Sequence, residues 1–232
     1  MNKQILLMLI AFLVFLALSV GCGNRIPDLQ KRAEGGNVKA QLELGQTYYD
    51  GIGIEQNLTK AAEWFRKAAE QGDALAQNYL GTCYGLGEGV EIDLVKAAEW
   101  FRKSAEQGNV TAQFNLAQSY YKGLGVEQDS AKAVEWWQKA AGQGLAEAQY
   151  SLGYAYLEGI GIEEDDIKGA EWMMKSAKQG LPCAQAILGA CYYDGEGVPK
   201  DPAKGEKWVQ KAANQGFEPA LRFQKEYNED EK

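Results

Sequence analysis

Apolar and small residues recur along most of the chain at the spacing of helix faces, and the recurrence itself repeats. Between residues 37 and 216 the pattern falls into five segments of 36 residues each, without an insertion or deletion. The segments are 37–72, 73–108, 109–144, 145–180 and 181–216. Each contains two apolar stripes separated by a glycine-rich turn, which predicts a pair of helices, A and B. The chain is therefore predicted to be an array of helical repeats, a class that a fixed period of this length indicates.

The first stripe of each segment predicts helix A. Ala40, Leu44 and Tyr48 follow one another at a spacing of four, and residues of the same types stand at the equivalent positions of the later segments. This spacing places them on one face of a helix. Gly45 stands beside that face, where a small residue lets another helix approach closely. Gly51 is predicted to end the helix in the left-handed conformation.

The second stripe predicts helix B. Each copy begins after an acceptor side chain that suits a helix N-cap. These residues are Asn57, Asp93, Asp129, Asp165 and Asp201. Pro202 follows the last of them at a first-turn position that tolerates proline. Ala61, Trp64, Phe65 and Ala68 then form an i, i+3, i+4, i+7 stripe that we expect to be buried.

Segments with a weaker pattern flank the array. Residues 22–36 are predicted to be a short linker and an N-terminal capping helix, and residues 217–232 a C-terminal capping helix with an acidic tail. Terminal units of a helical array are atypical because their outer faces meet water instead of a neighbour.

The repeated residues resemble the Sel1-like repeat family, which is tetratricopeptide-like. The pattern here is AQ-x-x-LG-x-x-Y-x-x-G-x-G-V/I, then K-A-x-x-W, then K-A-A-x-QG, over residues 37–216. Departures are mild, such as Ala117 in place of a glycine. The resemblance implies an all-α fold, a right-handed α-solenoid of stacked two-helix hairpins. It also implies that the protein binds a protein or peptide in a concave groove.

The first residues differ from the rest of the chain. Lys3 precedes an apolar run from Ile5 to Leu18, and Ser19-Val20-Gly21-Cys22 follows. This resembles a bacterial lipoprotein signal peptide over residues 1–21, which implies a lipid on Cys22. Gly23 after the cysteine implies the periplasmic face of the outer membrane. The alternative is an uncleaved signal anchor, although the 16 residues from 5 to 20 fall short of the ~18 expected of a spanning helix.

The charge of the chain argues against nucleic acid as a partner. The formal net charge is −8, and it becomes −9 without Lys3, the one charged residue among the first 21. A surface of that sign repels phosphate backbones. An anionic membrane surface would not attract it either, so attachment to a membrane would have to come from Cys22.

The sequence predicts that the protein is not an enzyme and needs no cofactor or metal. It contains no histidine, which removes histidine-based triads and most zinc sites. Ser119-Tyr120-Tyr121-Lys122 matches the S-x-x-K signature of penicillin-binding enzymes, and some cysteine-rich relatives in the repeat family are linked to β-lactam binding. Ser119, however, occupies a small-residue packing position, and neither S-D-N nor K-T-G occurs. β-Lactam binding therefore stays a remote alternative.

The three other cysteines are predicted to be free. Cys83 and Cys191 stand at equivalent positions three repeats apart, roughly 30 Å if each hairpin adds one helix diameter. Cys183 and Cys191 are eight residues apart on one helix, about 12 Å, which also exceeds disulfide reach. We expect buried thiols, unlike the paired cysteines of the cysteine-rich branch of the family.

Positions of helix A that vary between repeats are the candidates for partner contacts. Several of them hold large aromatic residues in the central repeats. The predicted binding groove consists of Tyr79, Phe114, Gln118, Tyr150 and Tyr154. A second interpretation is that some of these rings pad the packing between successive A helices. The sequence leaves both open.

The function expected from these features is a membrane-anchored interaction scaffold or adaptor in the bacterial cell envelope. Envelope polysaccharide or peptidoglycan is an alternative partner, since five tryptophans recur on helix B and indoles stack on sugars. Their place on the predicted buried stripe favours packing instead. The sequence does not indicate an oligomeric state.

Overall fold

The computed structural model describes residues 25–223, and within that range every regular element is an α-helix. The helices are α1 (Arg25–Glu34), α2 (Val38–Asp50), α3 (Leu58–Glu70), α4 (Ala74–Leu86), α5 (Leu94–Glu106), α6 (Val110–Lys122), α7 (Ser130–Gly142), α8 (Ala146–Leu157), α9 (Asp166–Lys178), α10 (Pro182–Asp194) and α11 (Pro202–Asn214). Residues 218–223 are also helical. Even-numbered helices from α2 to α10 are the predicted A helices, and odd-numbered ones from α3 to α11 are the B helices. The predicted all-α fold of stacked two-helix repeats is confirmed.

The chain divides into two compact units, and the division falls within α5. Unit 1 ends at Ser104 and unit 2 begins at Ala105. In unit 1, α1 packs on α2, α2 on α3, and α3 on α4. In unit 2, α6 to α11 likewise pack each against the next helix along the chain. Each unit buries its own core of alanines, leucines and single large side chains between these layers.

The predicted ends of the helices are confirmed. The side chain of Asn57 accepts a hydrogen bond from the backbone N–H of Lys60 at the start of α3, and Asp165 does the same for Lys168 at α9. At the C-terminus of α2, Gly51 has φ 70° and its N–H donates to the carbonyl of Thr47. Sequence types and helix boundaries therefore correspond directly.

The second glycine of a G-x-G turn that follows another repeat, as at Gly89 and Gly161, makes a close contact that its conformation alone does not reveal. Gly89 has φ 74°, and a Cβ at this position would lie 2.1 Å from the carbonyl oxygen of Leu58 at the start of α3. In unit 2, Gly161 has the same relation to Ser130 at the start of α7, at 2.4 Å. The turn of one repeat thus rests on the first turn of helix B in the preceding repeat, and only glycine fits there.

Pairs of glutamines link successive helices within both units. Gln41 is buried, its Nε2 donates to the carbonyl of Ala33 at 3.0 Å, and its Oε1 accepts from Nε2 of Gln71 at 2.7 Å. Gln149 and Gln179 repeat the arrangement in unit 2 with the carbonyl of Ala141. Because buried amides are costly to leave unpaired, these bridges explain the glutamines of the A-Q and Q-G motifs.

The tryptophans of helix B correct one sequence prediction. All five were expected on the buried stripe, but each is only half-buried, whereas Phe65 and its alanine neighbours are buried. The ammonium of a lysine three residues on lies over each indole, for example Lys67 at 3.7 Å from the centroid of Trp64. The buried face of helix B also includes Ala62 and Ala69, so each indole lies at the edge of that face and not at its centre. The prediction that the indoles are buried was therefore wrong.

Candidate partner-binding surface

Three of the five predicted groove residues lie together on the A helices of unit 2. Gln118 is on α6, and Tyr150 and Tyr154 are on α8. The two tyrosine rings are one helical turn apart, with centroids separated by 6.3 Å and planes inclined by 19°. Tyr154 is 37% exposed, while Tyr150 is half-buried, and this burial raises the pKa of the Tyr150 hydroxyl. The pair presents an aromatic surface that is partly open to solvent.

A pocket of about 210 Å³ lies beside this pair, between α6 and α8, and we name it the Trp137 pocket. Its lining includes Gln118, Tyr121, Lys122, Trp137, Tyr150 and Tyr154. The rings of Tyr121 and Trp137 are 5.3 Å apart at an angle of 55°. Aromatic walls with a few polar groups are typical of sites that hold a side chain of a partner.

A second pocket, of about 290 Å³, adjoins the first through Tyr150 and is named the Cys183 pocket. It is lined by Cys183, Ala186 and Ile187 of α10, and by Phe217 and Phe223 near the C-terminal helix. Its walls are almost entirely apolar. Tyr150 therefore stands between two concave sites on one unit.

The other two groove candidates make packing contacts. Phe114 of α6 is half-buried and packs against the core around α7 and α8. Tyr79 belongs to unit 1, where its ring stacks on Phe65 with a centroid distance of 4.9 Å and its hydroxyl accepts from Nε2 of Gln46 at 3.1 Å. These contacts fit the padding interpretation, whereas Gln118, Tyr150 and Tyr154 fit the groove interpretation.

Unit 1 has a pocket of its own with a different character. It measures about 230 Å³ and is lined by Leu29, Glu43, Gln46, Asp50 and Ile52, among others. Two carboxylates thus line this pocket, whereas a lysine and no carboxylate line the Trp137 pocket. The linings of these two pockets therefore differ in the sign of their charged residues.

Sequence reasoning missed Tyr121, Lys122 and Trp137 as pocket residues. The predicted groove included only helix A positions that lie outside the Ala-Leu-Tyr face, whereas Trp137 is on helix B. A signal was present: Trp137 occupies the position of Phe65 and Phe101 in the first two repeats, so it departs from the repeated residue type.

The residues that suggested chemistry have structural roles in the described part of the chain. Ser119 is buried and its hydroxyl donates to the carbonyl of Asn115 at 3.0 Å, as expected of a packing position. Cys83 and Cys191 are buried free thiols, and burial raises the pKa of each to about 11, while Cys183 is only half-buried. Across residues 25–223 no group of three or more acidic or cysteine side chains is placed to hold a metal ion.

Comparison with known proteins identifies the family to which this architecture belongs. The model of the Sel1 repeat matches residues 38–73, 74–109, 110–145, 146–181 and 184–217. The chain belongs to the Sel1 repeat family. Sel1-repeat proteins typically mediate protein–protein interactions and are generally not enzymes.

Two solved Sel1-repeat structures are similar over most of this chain. The crystal structure of c5321, a protective antigen of uropathogenic Escherichia coli, is 42% identical with a TM-score of 0.81, over 84% of this chain and 42% of that one. A Sel1 repeat protein from Oxalobacter formigenes is 32% identical with a TM-score of 0.75, over 80% and 76% respectively.

One curated relative is similar over a shorter stretch. The secretory immunoglobulin A-binding protein EsiB of Escherichia coli is 40% identical over 68 residues, which are 29% of this chain and 14% of EsiB. The Sel1-repeat chain described here therefore spans less than half of the length of EsiB and of c5321.

Between residues 25 and 223, no helix combines the length and the apolar character that crossing a bilayer requires. Cys22 and the predicted signal peptide lie outside the described residues.

Proposed function

We propose that this protein is a membrane-anchored adaptor of the bacterial cell envelope that binds a protein or peptide on the A-helix surface of unit 2. The observation that carries the proposal is the pair of adjoining pockets that share Tyr150. Their A-helix lining comes from positions that differ between repeats, such as Gln118 and Tyr154, whereas Ala40 and Leu44 on the buried face of helix A recur as the same residue type in every repeat. In a repeat protein, binding specificity resides in the surface positions that vary between repeats, while the repeated residues form the helical framework.

The size and polarity of these pockets favour a polypeptide partner. Each is smaller than the ~300 Å³ at the lower end of small-molecule sites. Neighbouring pockets of this size fit successive side chains of one peptide, as anchor residues fit at interface hot spots. EsiB, which is similar over part of this chain, is named as a binder of a protein, immunoglobulin A. That relative supports a protein as the class of partner for this chain.

The structure weakens the alternative of a polysaccharide or peptidoglycan partner. The tryptophans that suggested sugar stacking have one ring face covered by a lysine ammonium, at 3.6 Å for Trp136 and 3.5 Å for Trp172. No described feature favours β-lactam binding either, since the Ser119 hydroxyl is buried against a backbone carbonyl.

The membrane anchor is the second part of the proposal. A lipid on Cys22 would hold the protein at the periplasmic face of the outer membrane. Only residues 23 and 24 separate Cys22 from the start of α1 at Arg25. So short a connection would keep unit 1 close to the lipid surface.

We expect a photo-crosslinker to capture the partner when it is placed on the A-helix surface of unit 2, and not when it is placed on helix α9. p-Benzoylphenylalanine in place of Tyr154, which is 37% exposed, should crosslink a discrete envelope protein in native membranes. The same crosslinker in place of Ile167, which is 64% exposed on helix α9, should not. Tyr150→Ala should reduce the yield from position 154 by about tenfold, because an aromatic anchor is lost. The readout is the crosslinked band and its mass spectrum.

The stability of the variants separates binding from packing. Tyr150→Ala should shift the melting temperature by only a few degrees, because the ring is half-buried. Equal crosslinking from positions 154 and 167, or an undiminished yield with Tyr150→Ala, would contradict the proposed surface.

Replacing Cys22 with alanine is expected to release the protein from the membrane. The lipid would be the attachment, since the body of the chain carries a net charge of −9 and has no attraction to an anionic surface. Membrane fractionation and intact-mass analysis measure the outcome, with Cys183→Ala as a cysteine-matched control that should stay membrane-bound. A wild-type mass showing Met1 retained or Cys22 unmodified would refute the anchor.

A further inference from the structure

We propose that one edge of unit 1 lies on the membrane and inserts its exposed apolar side chains among the lipid headgroups. We name it the loop edge. It consists of residues 50–57 and 86–93, which end α2 and α4 and lead into α3 and α5. The side chains that enter the lipid are Ile52, Leu86 and Ile92. This inference rests on the membrane anchor of the proposed function and adds the orientation of unit 1 on the bilayer.

The three side chains are exposed well beyond what their apolar character favours. Ile52 is 70% exposed, Leu86 64% and Ile92 66%. Apolar side chains that are grouped on a surface and left in water mark a place that another molecule or a membrane covers.

Two of the three depart from the residue types of the other repeats. The position of Leu86 holds a charged residue in each of the other four repeats, namely Asp50, Lys122, Glu158 and Asp194. The position of Ile92 holds a polar or charged residue in the other four, namely Gln56, Gln128, Glu164 and Lys200. The apolar types at these positions are therefore specific to the second repeat and are not part of the repeated pattern.

A polar residue at the position of Ile92 contributes to the fold in other repeats. Nε2 of Gln56 donates to the carbonyl of Tyr49 at 2.8 Å, and Gln128 donates to the carbonyl of Tyr121 at 2.9 Å in unit 2. These bonds satisfy carbonyls in the last turn of helix A, and isoleucine has no donor with which to form them. The stability of the helix end therefore does not explain an isoleucine at this position.

The two loops of the loop edge are in contact with each other. The Tyr49 hydroxyl at the end of α2 donates to Oε2 of Glu88 in the second loop at 2.8 Å. Gly89 of the second loop lies against the carbonyl of Leu58, where α3 begins. The three apolar side chains therefore lie along one edge of unit 1.

The anchored end of the chain lies at the same edge. Ile26, in the first turn of α1, lines one pocket together with Asp50, Ile52 and Gly53. The chain from Cys22 to Arg25 spans at most about 10 Å when fully extended. A lipid on Cys22 would therefore hold the loop edge against the bilayer and the opposite ends of the helices away from it.

Exposed carboxylates limit how deeply this edge can enter the bilayer. Asp50, Glu55 and Glu91 belong to the two loops and are exposed. An ionised carboxylate is costly in hydrocarbon, so the insertion reaches the headgroups and the outer ends of the acyl chains. Anionic lipids would repel the same groups. The surface that fits the loop edge is therefore a zwitterionic bilayer.

Photo-crosslinking to lipid tests this orientation. Full-length protein is purified from membranes and reconstituted in phosphatidylcholine vesicles, with p-benzoylphenylalanine in place of Ile92. We expect irradiation to add the mass of a phospholipid to the intact protein. The same crosslinker in place of Leu75 is the matched control, because Leu75 is also apolar and 39% exposed but lies near the other end of α4, about 16 Å away by the helix rise. It should add no lipid.

A double variant tests whether the apolar side chains cause the insertion. Leu86→Asp with Ile92→Gln introduces the residue types of the first repeat at two exposed positions, so the melting temperature should not change. The lipid crosslink from position 52 should fall by about tenfold, because two apolar side chains no longer enter the lipid. Leu75→Gln should leave that crosslink unchanged. Replacing part of the phosphatidylcholine with phosphatidylglycerol should lower the yield at low salt.

Three results would overturn the inference. They are equal lipid yields from positions 92 and 75, an undiminished yield from position 52 in the double variant, and crosslinks from position 92 to a protein chain in place of lipid. The release of Cys22→Ala from the membrane tests the anchor separately. A protein that needs Cys22 to stay on the membrane but gives any of these three results would retain the anchor and lose the proposed orientation.

Discussion

Gly89→Ala is expected to destabilise unit 1 by at least about 3 kcal/mol, a loss at the severe end for a single substitution. The added Cβ would lie 2.1 Å from the carbonyl oxygen of Leu58 and 2.2 Å from its carbon. Both are backbone atoms of the first turn of α3, so no side chain can rotate away. Either the turn must leave α3 or the helix must begin later.

Gly53→Ala is the matched control for this substitution. Gly53 is the equivalent glycine of the preceding repeat, with φ 75° against 74° for Gly89, and a Cβ there would meet nothing within 4 Å. Its cost should be limited to the left-handed conformation, about 1–2 kcal/mol. Urea unfolding of both variants measures the difference. Equal losses would show that backbone conformation, and not the contact with Leu58, explains the second glycine.

Phe65→Ala is expected to cost about 3–5 kcal/mol, the range for removing a fully buried aromatic ring. Phe65 is 1% exposed, its ring stacks on Tyr79 at 4.9 Å, and it lies 6.4 Å from the ring of Tyr49. Its removal should open a cavity between α2, α3 and α4. The free energy of unfolding from urea titration is the measurement.

Gly45→Ala provides a partner for a double-mutant cycle. A Cβ at Gly45 would lie 2.6 Å from the Phe65 ring, so this change alone should cost about 1–3 kcal/mol through overpacking. In the Phe65→Ala background the same methyl group should fill part of the cavity. The double variant should then lose less than the two single losses added together. Strict additivity would mean that the glycine serves the helix backbone and not the ring.

Local rules predicted most of the helical frame from sequence. The N-caps at Asn57 and Asp165 and the left-handed glycine at Gly51 depend on residues within one turn of each other, so the chain sequence contains all that determines them. The 36-residue period supplied the order of the helices in the same way.

Contacts between repeats were harder to predict. The spacing of Trp64 fits the apolar stripe, but periodicity cannot show that Lys67 covers the ring and that the indole lies at the edge. The sequence likewise gives Gly89 a turn without revealing that its Cα approaches Leu58. The approach of Gly89 to Leu58 depends on how one layer lies on another, because the two residues are far apart along the chain. The contact of Lys67 with Trp64 lies within one helix, but how far the indole is buried also depends on the neighbouring helices.

The candidate binding site was likewise predicted only in part from the sequence. Tyr150 and Tyr154 were found because they are large residues at varying positions of helix A, and the structure places both at the Trp137 pocket. Tyr79 looks the same by that criterion, yet its ring stacks on Phe65. Trp137 was overlooked because it belongs to a packing position, where only comparison with Phe65 and Phe101 shows that its residue type differs.

The glutamine bridges have a consequence for how such a protein changes length over evolution. Gln41, Gln77, Gln149 and Gln185 each donate to the carbonyl of an alanine eight residues earlier. The hydrogen bond between one repeat and the next is therefore the same in each of these cases. A duplicated block of 36 residues would find an alanine carbonyl in the block before it for its own glutamine, and would provide such a carbonyl for the glutamine of the block after it. Unequal recombination can therefore add or delete whole repeats without a new interior, and selection is left to act on the side chains that differ.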